Sequence, residues 1–212
     1  GIVTRHAAAI TGESGSIVGL DMSPEMLEVA RLISLPCPNI VSWVEADAAA
    51  MPFAERAFDT VLCQFGFMFM SDKPAALREM RRVTKPGGSL GLSVFVSNPY
   101  DQALKRALSK HALPDDADFA IWSCGDPEWL RSLVEKAGFQ IVTLKKQSNP
   151  SRYKSVRQSL ELMKDWSQTI AGLPADTLEQ ITRDIEAELS HCITADGFFC
   201  PEPVNIVIAR AI

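Results

Sequence analysis

Residues 45–88 read EADAAAMPFAERAFDTVLCQFGFMFMSDKPAALREMRRVTKPGG. Within them FDTVLCQF (58–65) is apolar almost throughout, which predicts a strand covered on both faces. The preceding MPF and AERA (51–57) read as a loop. DKPAALREMRRVTKPGG (72–88) predicts a helix with Ala76, Leu77, Met80 and Val83 toward the core, ended by Pro86-Gly87-Gly88. The basic cluster REMRR (78–82) reads as that helix's solvated face. SLGLSVFV (89–96) predicts the next strand.

The same rhythm continues on either side. Upstream, an Ala-rich helix over 2–10 and a turn at 12–15 lead to a strand, SIVGLD (16–21). SPEMLEVARLI (23–33) then has a full helix start: Ser23 as cap, Pro24 at the first position and Glu25 in the first turn. Its apolar face is Met26, Leu27, Ala30 and Ile33. IVSWVEAD (40–47) predicts another strand. Downstream, DPEWLRSLVEKAGF (126–139) repeats the helix grammar, with Asp126 as cap, Pro127 next and Gly138 as stop. QIVTLKK (140–146) and VNIVIARA (204–211) predict the last two strands.

Strands alternating with helices imply an α/β fold, a mostly parallel sheet doubly wound by helices. Two stretches, 98–125 and 148–200, are too long to be simple connections. The second holds two amphipathic patterns: Val156, Leu160, Met163, Ile170, and Leu178, Ile181, Ile185, Leu189. Both stretches read as helical caps over one end of the sheet, on the substrate side, within a single domain over 1–212.

Composition excludes several classes. With 47% apolar and 22% charged residues the chain is ordinary globular protein. A net charge of −5 and the absence of a basic stripe argue against nucleic acid as a partner. No apolar run approaches the roughly 18 residues that span a bilayer. The cysteines (Cys37, Cys63, Cys124, Cys192, Cys200) form no zinc-type spacing and read as reduced thiols in a cytoplasmic protein, with Cys63 buried. No metal is expected.

Ligands of open α/β sheets bind at the carboxyl ends of the strands. Three of those ends carry polar groups: Asp21, the pair Asp47-Ala48, and Gln64. Asp21 stands about twenty residues beyond a glycine that opens a helix, the position from which a carboxylate accepts two ribose hydroxyls. Its ordinary alternative is a turn-capping Asp before Pro24. Asp47 could accept from an exocyclic amine such as adenine N6, or could form a turn. Gln64 offers one donor group and one acceptor.

The pieces AD-AAAMPF, FD-V and AL-EM-RV-KPGG, closely spaced within 46–88, resemble the central block of class I S-adenosylmethionine-dependent methyltransferases. The similarity is greatest to the ubiquinone/menaquinone-biosynthesis C-methyltransferase-like group. It covers 1–97 well, and 126–146 and 204–211 as topology. It implies a Rossmann-like seven-stranded sheet with an antiparallel last strand, here without the first strand and most of the glycine-rich loop. S-adenosylmethionine is the implied cofactor. Gly1 would be the last glycine of that loop and Thr4 a contact behind it. Asp21 would hold the ribose with Met22 against the adenine, Asp47 and Ala48 the adenine edge, and Gln64 the methionine part. On the same resemblance the protein is expected to extend roughly 40–60 residues upstream, one strand–loop unit plus a leading helix.

The implied activity moves a methyl group to a small, partly apolar acceptor by in-line displacement, with carbon, oxygen or nitrogen as the receiving atom. Alignment and exclusion of water do most of that work, and a base is needed only where the acceptor must lose a proton. Side chains able to serve are Tyr100, His111, His191 and His6, each with an ordinary core or surface role as the alternative. Tyr100, Phe119, Trp122, Trp166, Phe198 and Phe199 would pack the caps or line an acceptor pocket. The partners expected are the acceptor and, at most, a second copy of the chain. The competing readings are a methyltransferase-like fold kept as a non-catalytic binding or partner subunit, and a dinucleotide oxidoreductase.

Overall fold

A computed structural model describes residues 1–33, 40–111, 124–165 and 167–212. Cys37, Phe119, Trp122 and Trp166, and the roles expected of them, lie outside these residues. The chain divides into two compact units: Gly1–Leu92 with Arg131–Thr143 and Val207–Ile212, and Ser93–Leu130 with Leu144–Ile206.

The first unit opens with helix α1 (Ile2–Thr11), strand β1 (Ile17–Asp21), helix α2 (Pro24–Leu32) and strand β2 (Val41–Glu45). β1 and β2 are parallel, in register from Ile17 opposite Val41 to Asp21 opposite Glu45. The Ser23 hydroxyl accepts from Met26 N–H at 3.1 Å and starts α2 as its sequence predicts. Leu27 and Ala30 are buried, but Met26 and Ile33, expected on the same face, are exposed. β1 and β2 form a sheet of their own, so α2 has only a narrow surface to cover.

Strand β3 (Phe58–Gln64) leads through a short 3₁₀ turn to helix α3 (Lys73–Val83), which Asp72 caps by accepting from Ala75 N–H at 2.8 Å. Ala76, Leu77, Met80 and Val83 are all buried. The helix stops at Val83, earlier than its pattern suggests. Thr84 is already extended, and strand β4 (Thr84–Phe95) takes in the whole of KPGG. The cause is local: Lys85 precedes a proline, which disfavours helix there. REMRR is also no solvated face. Arg78 is exposed, whereas Arg81 and Arg82 are half-buried and engaged. Arg81 donates to the carbonyls of Gly138 (3.0 Å) and Ile212, joining α3 to the ends of helix α5 (Pro127–Lys136) and strand β7 (Gly197–Ala211). Gly138 ends α5 with φ +93, a conformation glycine adopts without strain.

Strand β5 (Phe139–Tyr153) and β7 run far beyond their expected lengths. The larger sheet has the order β3-β4-β7-β5, so the last long strand is inserted between two earlier ones. β3 is its edge strand. Thr60, Leu62 and Gln64 are exposed on one face, against the expectation of cover on both. No described residue pairs with the outer edge of β3.

The second unit gathers both long interruptions. Helix α4 (Pro99–Lys110) starts in a capping box: Asn98 accepts from Asp101 N–H at 3.0 Å and Asp101 from Asn98 N–H at 2.9 Å. Helices α6 (Val156–Met163), α7 (Gln168–Ala171) and α8 (Ala175–Glu188) follow, then strand β6 (Ile193–Thr194), which makes a hairpin with the start of β7. The eight apolar residues of the two amphipathic patterns are all buried, in one cluster with Tyr100, Leu104 and Phe198. The first pattern is two helices, because α6 ends at Met163 and Ser167 caps α7 afresh. Arg106–Glu188 and Lys110–Asp184 (3.2 Å) ion pairs join α4 to α8 at the surface.

Candidate functional site

A cleft of about 690 Å³ lies in the first unit, lined entirely by residues within 1–66. It is lined by every residue of β1 and by all of β3 except Val61, and the facing edges of the two strands are not bonded to each other. Its lining includes Gly1, Thr4, Asp21, Gln64 and Gly66, with Asp21 and Gln64 at the carboxyl ends of the two strands. Gly1 caps α1, whose free N–H groups and dipole favour negative charge. Gly19, in the middle of β1, allows a close approach. A Cβ there would stand 2.3 Å from the Trp43 ring and 3.1 Å from Thr4 Oγ1. Trp43 on β2 thus forms part of the wall, a role its position in an apolar strand does not disclose.

Asp21 is half-buried, and its Oδ1 accepts from Ser23 N–H at 3.0 Å. That bond fulfils the turn-capping role. Oδ2 carries no hydrogen bond among the described residues, so one oxygen orients the carboxylate and the other remains available. Gln64 is exposed, and its amide carries no hydrogen bond among the described residues. Directly after it Phe65 has φ +56, a conformation that costs a bulky residue about 1–3 kcal/mol and tends to occur at functional sites. Buried Phe67 and Met68 anchor the turn that holds it.

Met22, Asp47 and Ala48 do not line the cleft. Met22 is exposed beside Asp21. Asp47 begins a turn one residue after Ala46 N–H donates to Asp21 O at 3.0 Å. Its Oδ1 accepts from Ala49 N–H at 2.8 Å, and its other carboxylate oxygen has no hydrogen bond among the described residues. The turn is held from its far side by Glu79 and Arg82, a pair that the sequence reading passed over. The available signal was an acid and a base three residues apart on one helix.

Cys63, beside Gln64 in sequence, is pushed up from the ordinary thiol range by burial. Among the described residues no group of three or more His, Cys, Asp and Glu could hold a metal ion. No described helix is long and apolar enough to cross a membrane. Of the candidate bases, His6 is exposed on α1 and His191 is exposed in the second unit. His111 is half-buried at the end of α4. Tyr100 is closed into the second unit's core: its hydroxyl contacts Ser159 Oγ at 2.8 Å and the Met163 sulfur at 3.6 Å, and burial pushes its pKa well up. Phe198 packs edge-on to Tyr100 at 5.5 Å, which is a core role.

An inserted strand, polar strand ends around a glycine-capped helix and a carboxylate with one free oxygen define a Rossmann-like nucleotide-cofactor fold. Residues 1–92 match the family described as Methyltransferase domain. Residues 1–92 thus resemble the class I S-adenosylmethionine-dependent methyltransferases. Among curated relatives it is 33% identical over 160 residues to the ubiquinone/menaquinone biosynthesis C-methyltransferase UbiE of Cronobacter sakazakii. That alignment covers 67% of this chain and 63% of the relative, so the chain spans less than two thirds of the relative's length. Among solved structures it is similar to the [4+2]-cyclase SpnF, with TM-score 0.57, 23% identity and coverage of 97% and 69%. It is also similar to the Haemonchus contortus phospholethanolamine N-methyltransferase 2 in complex with phosphomonomethylethanolamine and S-adenosylhomocysteine, with TM-score 0.54, 16% identity and coverage of 97% and 46%. At these identities the structural likeness shows the fold alone.

Proposed function

We propose that the protein is an S-adenosylmethionine-dependent methyltransferase, and that its acceptor is a ring carbon of a small, partly apolar molecule of the quinone-precursor type. The observation that carries the cofactor part is Asp21, with Oδ1 fixed by Ser23 N–H and Oδ2 free, in a cleft shared with Gly1 and Gln64. A carboxylate so oriented accepts hydroxyl hydrogens from a ribose. Gln64 can donate to a carboxylate and accept from an ammonium, the two charged groups of a methionine moiety. The bound cofactor supplies a methyl group already activated by its positive sulfur. The chain's task is to orient it and keep water away.

The acceptor class rests on the similarity to UbiE. In carbon methylation the new C–C bond forms as the S–CH₃ bond breaks, and the ring carbon then loses its proton. The test is transfer of isotope-labelled methyl from S-adenosylmethionine to a panel of prenylated hydroquinones, simple phenols and small amines. Label on the hydroquinone ring carbon supports the reading. Label only on oxygen or nitrogen overturns the acceptor, and no transfer despite cofactor binding overturns the activity.

A further inference from the structure

We propose that Glu79 and Arg82 on α3 are positioning residues for the cofactor's base: they hold the loop after Asp47 so that the Asp47-Ala48 pair is presented in one fixed place. The inference rests on the reading that this pair meets the adenine edge.

The geometry is a double clamp. Arg82 Nη1 donates to Phe53 O at 2.7 Å, and Nη2 to Met51 O at 2.9 Å. Glu79 Oε2 accepts from Met51 N–H at 2.8 Å, so both backbone groups of Met51 are held by one helix. The two side chains are locked to each other by Nε–Oε1 and Nη2–Oε2 bonds of 2.6 and 2.8 Å. They are only 28% and 19% exposed, and this shielding keeps the bonds from being screened away. In return, the Arg82 carbonyl accepts from Arg56 N–H at 2.8 Å, and Arg56 sits at φ +55. The loop 51–56 is thereby fixed at Met51, Phe53 and Arg56.

The turn 47–50 lies between two fixed points. On one side Ala46 N–H is bonded to Asp21 O, and on the other Met51 is clamped. Its internal bonds, Ala49 N–H to Asp47 Oδ1 and Ala50 N–H to Asp47 O, define its shape but not its place. Asp47 is itself exposed, with no core packing to locate it. The fork of a guanidinium reaches two carbonyls and a carboxylate together; a lysine ammonium cannot copy that planar arrangement. Glu79 also lies below the usual carboxylate range, chiefly through its bond to Arg82.

The test compares the full chain with Arg82→Lys, Glu79→Gln and Asp47→Ala. Calorimetry measures affinity for S-adenosylhomocysteine and for its inosine analogue, which lacks the amine at the base edge. Amide hydrogen exchange is followed at Ala49, Ala50 and Met51. The unaltered chain should prefer the adenine compound. Arg82→Lys and Glu79→Gln should speed exchange at Met51 about tenfold or more and reduce that preference about tenfold, at conserved circular dichroism. A merely structural pair would lower affinity for both compounds alike. If Asp47→Ala removes the preference while both α3 variants keep it, the positioning role is wrong and the adenine reading stands. If Asp47→Ala leaves the preference intact, the adenine reading falls and this inference with it. Equal or no binding of both compounds by the unaltered chain overturns both. Glu79→Gln is close in shape to the native residue and decides the matter if Arg82→Lys does not fold.

Discussion

The two units have opposite packing. The second is closed: α4, α6, α7, α8 and the β6–β7 hairpin pack around one cluster, in which the buried Tyr100 hydroxyl is bonded to Ser159. The first is open: its strands form separate sheets of which only one contains β3, and Leu62, Met22 and Met26 are left exposed. The unit without recognisable motifs holds itself together, whereas the unit with the methyltransferase motifs leaves its strand edges unpaired along a cleft. Burial of large apolar side chains, at about 1.5–3 kcal/mol each, accounts for the first behaviour. The second leaves a cleft open to a ligand.

The largest expected effect comes from emptying the closed core. Ile181→Ala, at a fully buried position, should cost about 2–5 kcal/mol in denaturant unfolding followed by a second-unit signal. A cost under about 1 kcal/mol would show that this core is not tightly packed. Next in size is a pH effect in the same unit. Burial raises the Asp101 carboxyl from 3.8 to about 7, with Glu202 pushing the same way and Lys105 opposing. The folded state therefore holds this proton more tightly than the unfolded chain does. Its contribution is complete below about pH 4 and is lost as pH rises through about 7. Stability should fall by about 1–3 kcal/mol over that range, and Asp101→Asn should flatten the profile while keeping the cap. A profile that rises instead would contradict the burial account.

In the open unit the effects should fall on binding. Asp21→Ala should weaken S-adenosylhomocysteine about 10- to 100-fold, the worth of hydrogen bonds to a charged group, and change unfolding little. The smallest effect is that of Leu62→Ala. At 52% exposure it should cost under about 1 kcal/mol in this chain. A larger loss would mean that the cleft is closed in solution.

Much of the fold was legible in its residues. Ser23 and Asp126 cap the helices they were expected to cap; Asp126 accepts from Glu128 N–H at 2.9 Å. The α3 and α8 core faces followed from spacing alone. Asp21 and Gln64 were found as polar strand ends, and the cleft does bring them together. The length of β5 was hidden because its second half, KKQSNPSRY, is polar and follows no alternation. The exposure of Leu62 could not be read either, since it depends on which strands are neighbours. The spacing of Glu79 and Arg82 signals an ion pair but not the clamp, because a helix gives no sign of the carbonyls that a distant loop will offer it.

The central claim is that Asp21 holds the ribose of an S-adenosylmethionine-type cofactor in the cleft between β1 and β3. Titration of S-adenosylhomocysteine into the unaltered chain and into Asp21→Ala, with NAD as the control ligand, tests it most directly. The account expects saturable binding to the unaltered chain, at least tenfold weaker binding to the variant and none of NAD. Equal affinity of the two proteins for S-adenosylhomocysteine, or saturable binding of NAD, would contradict it.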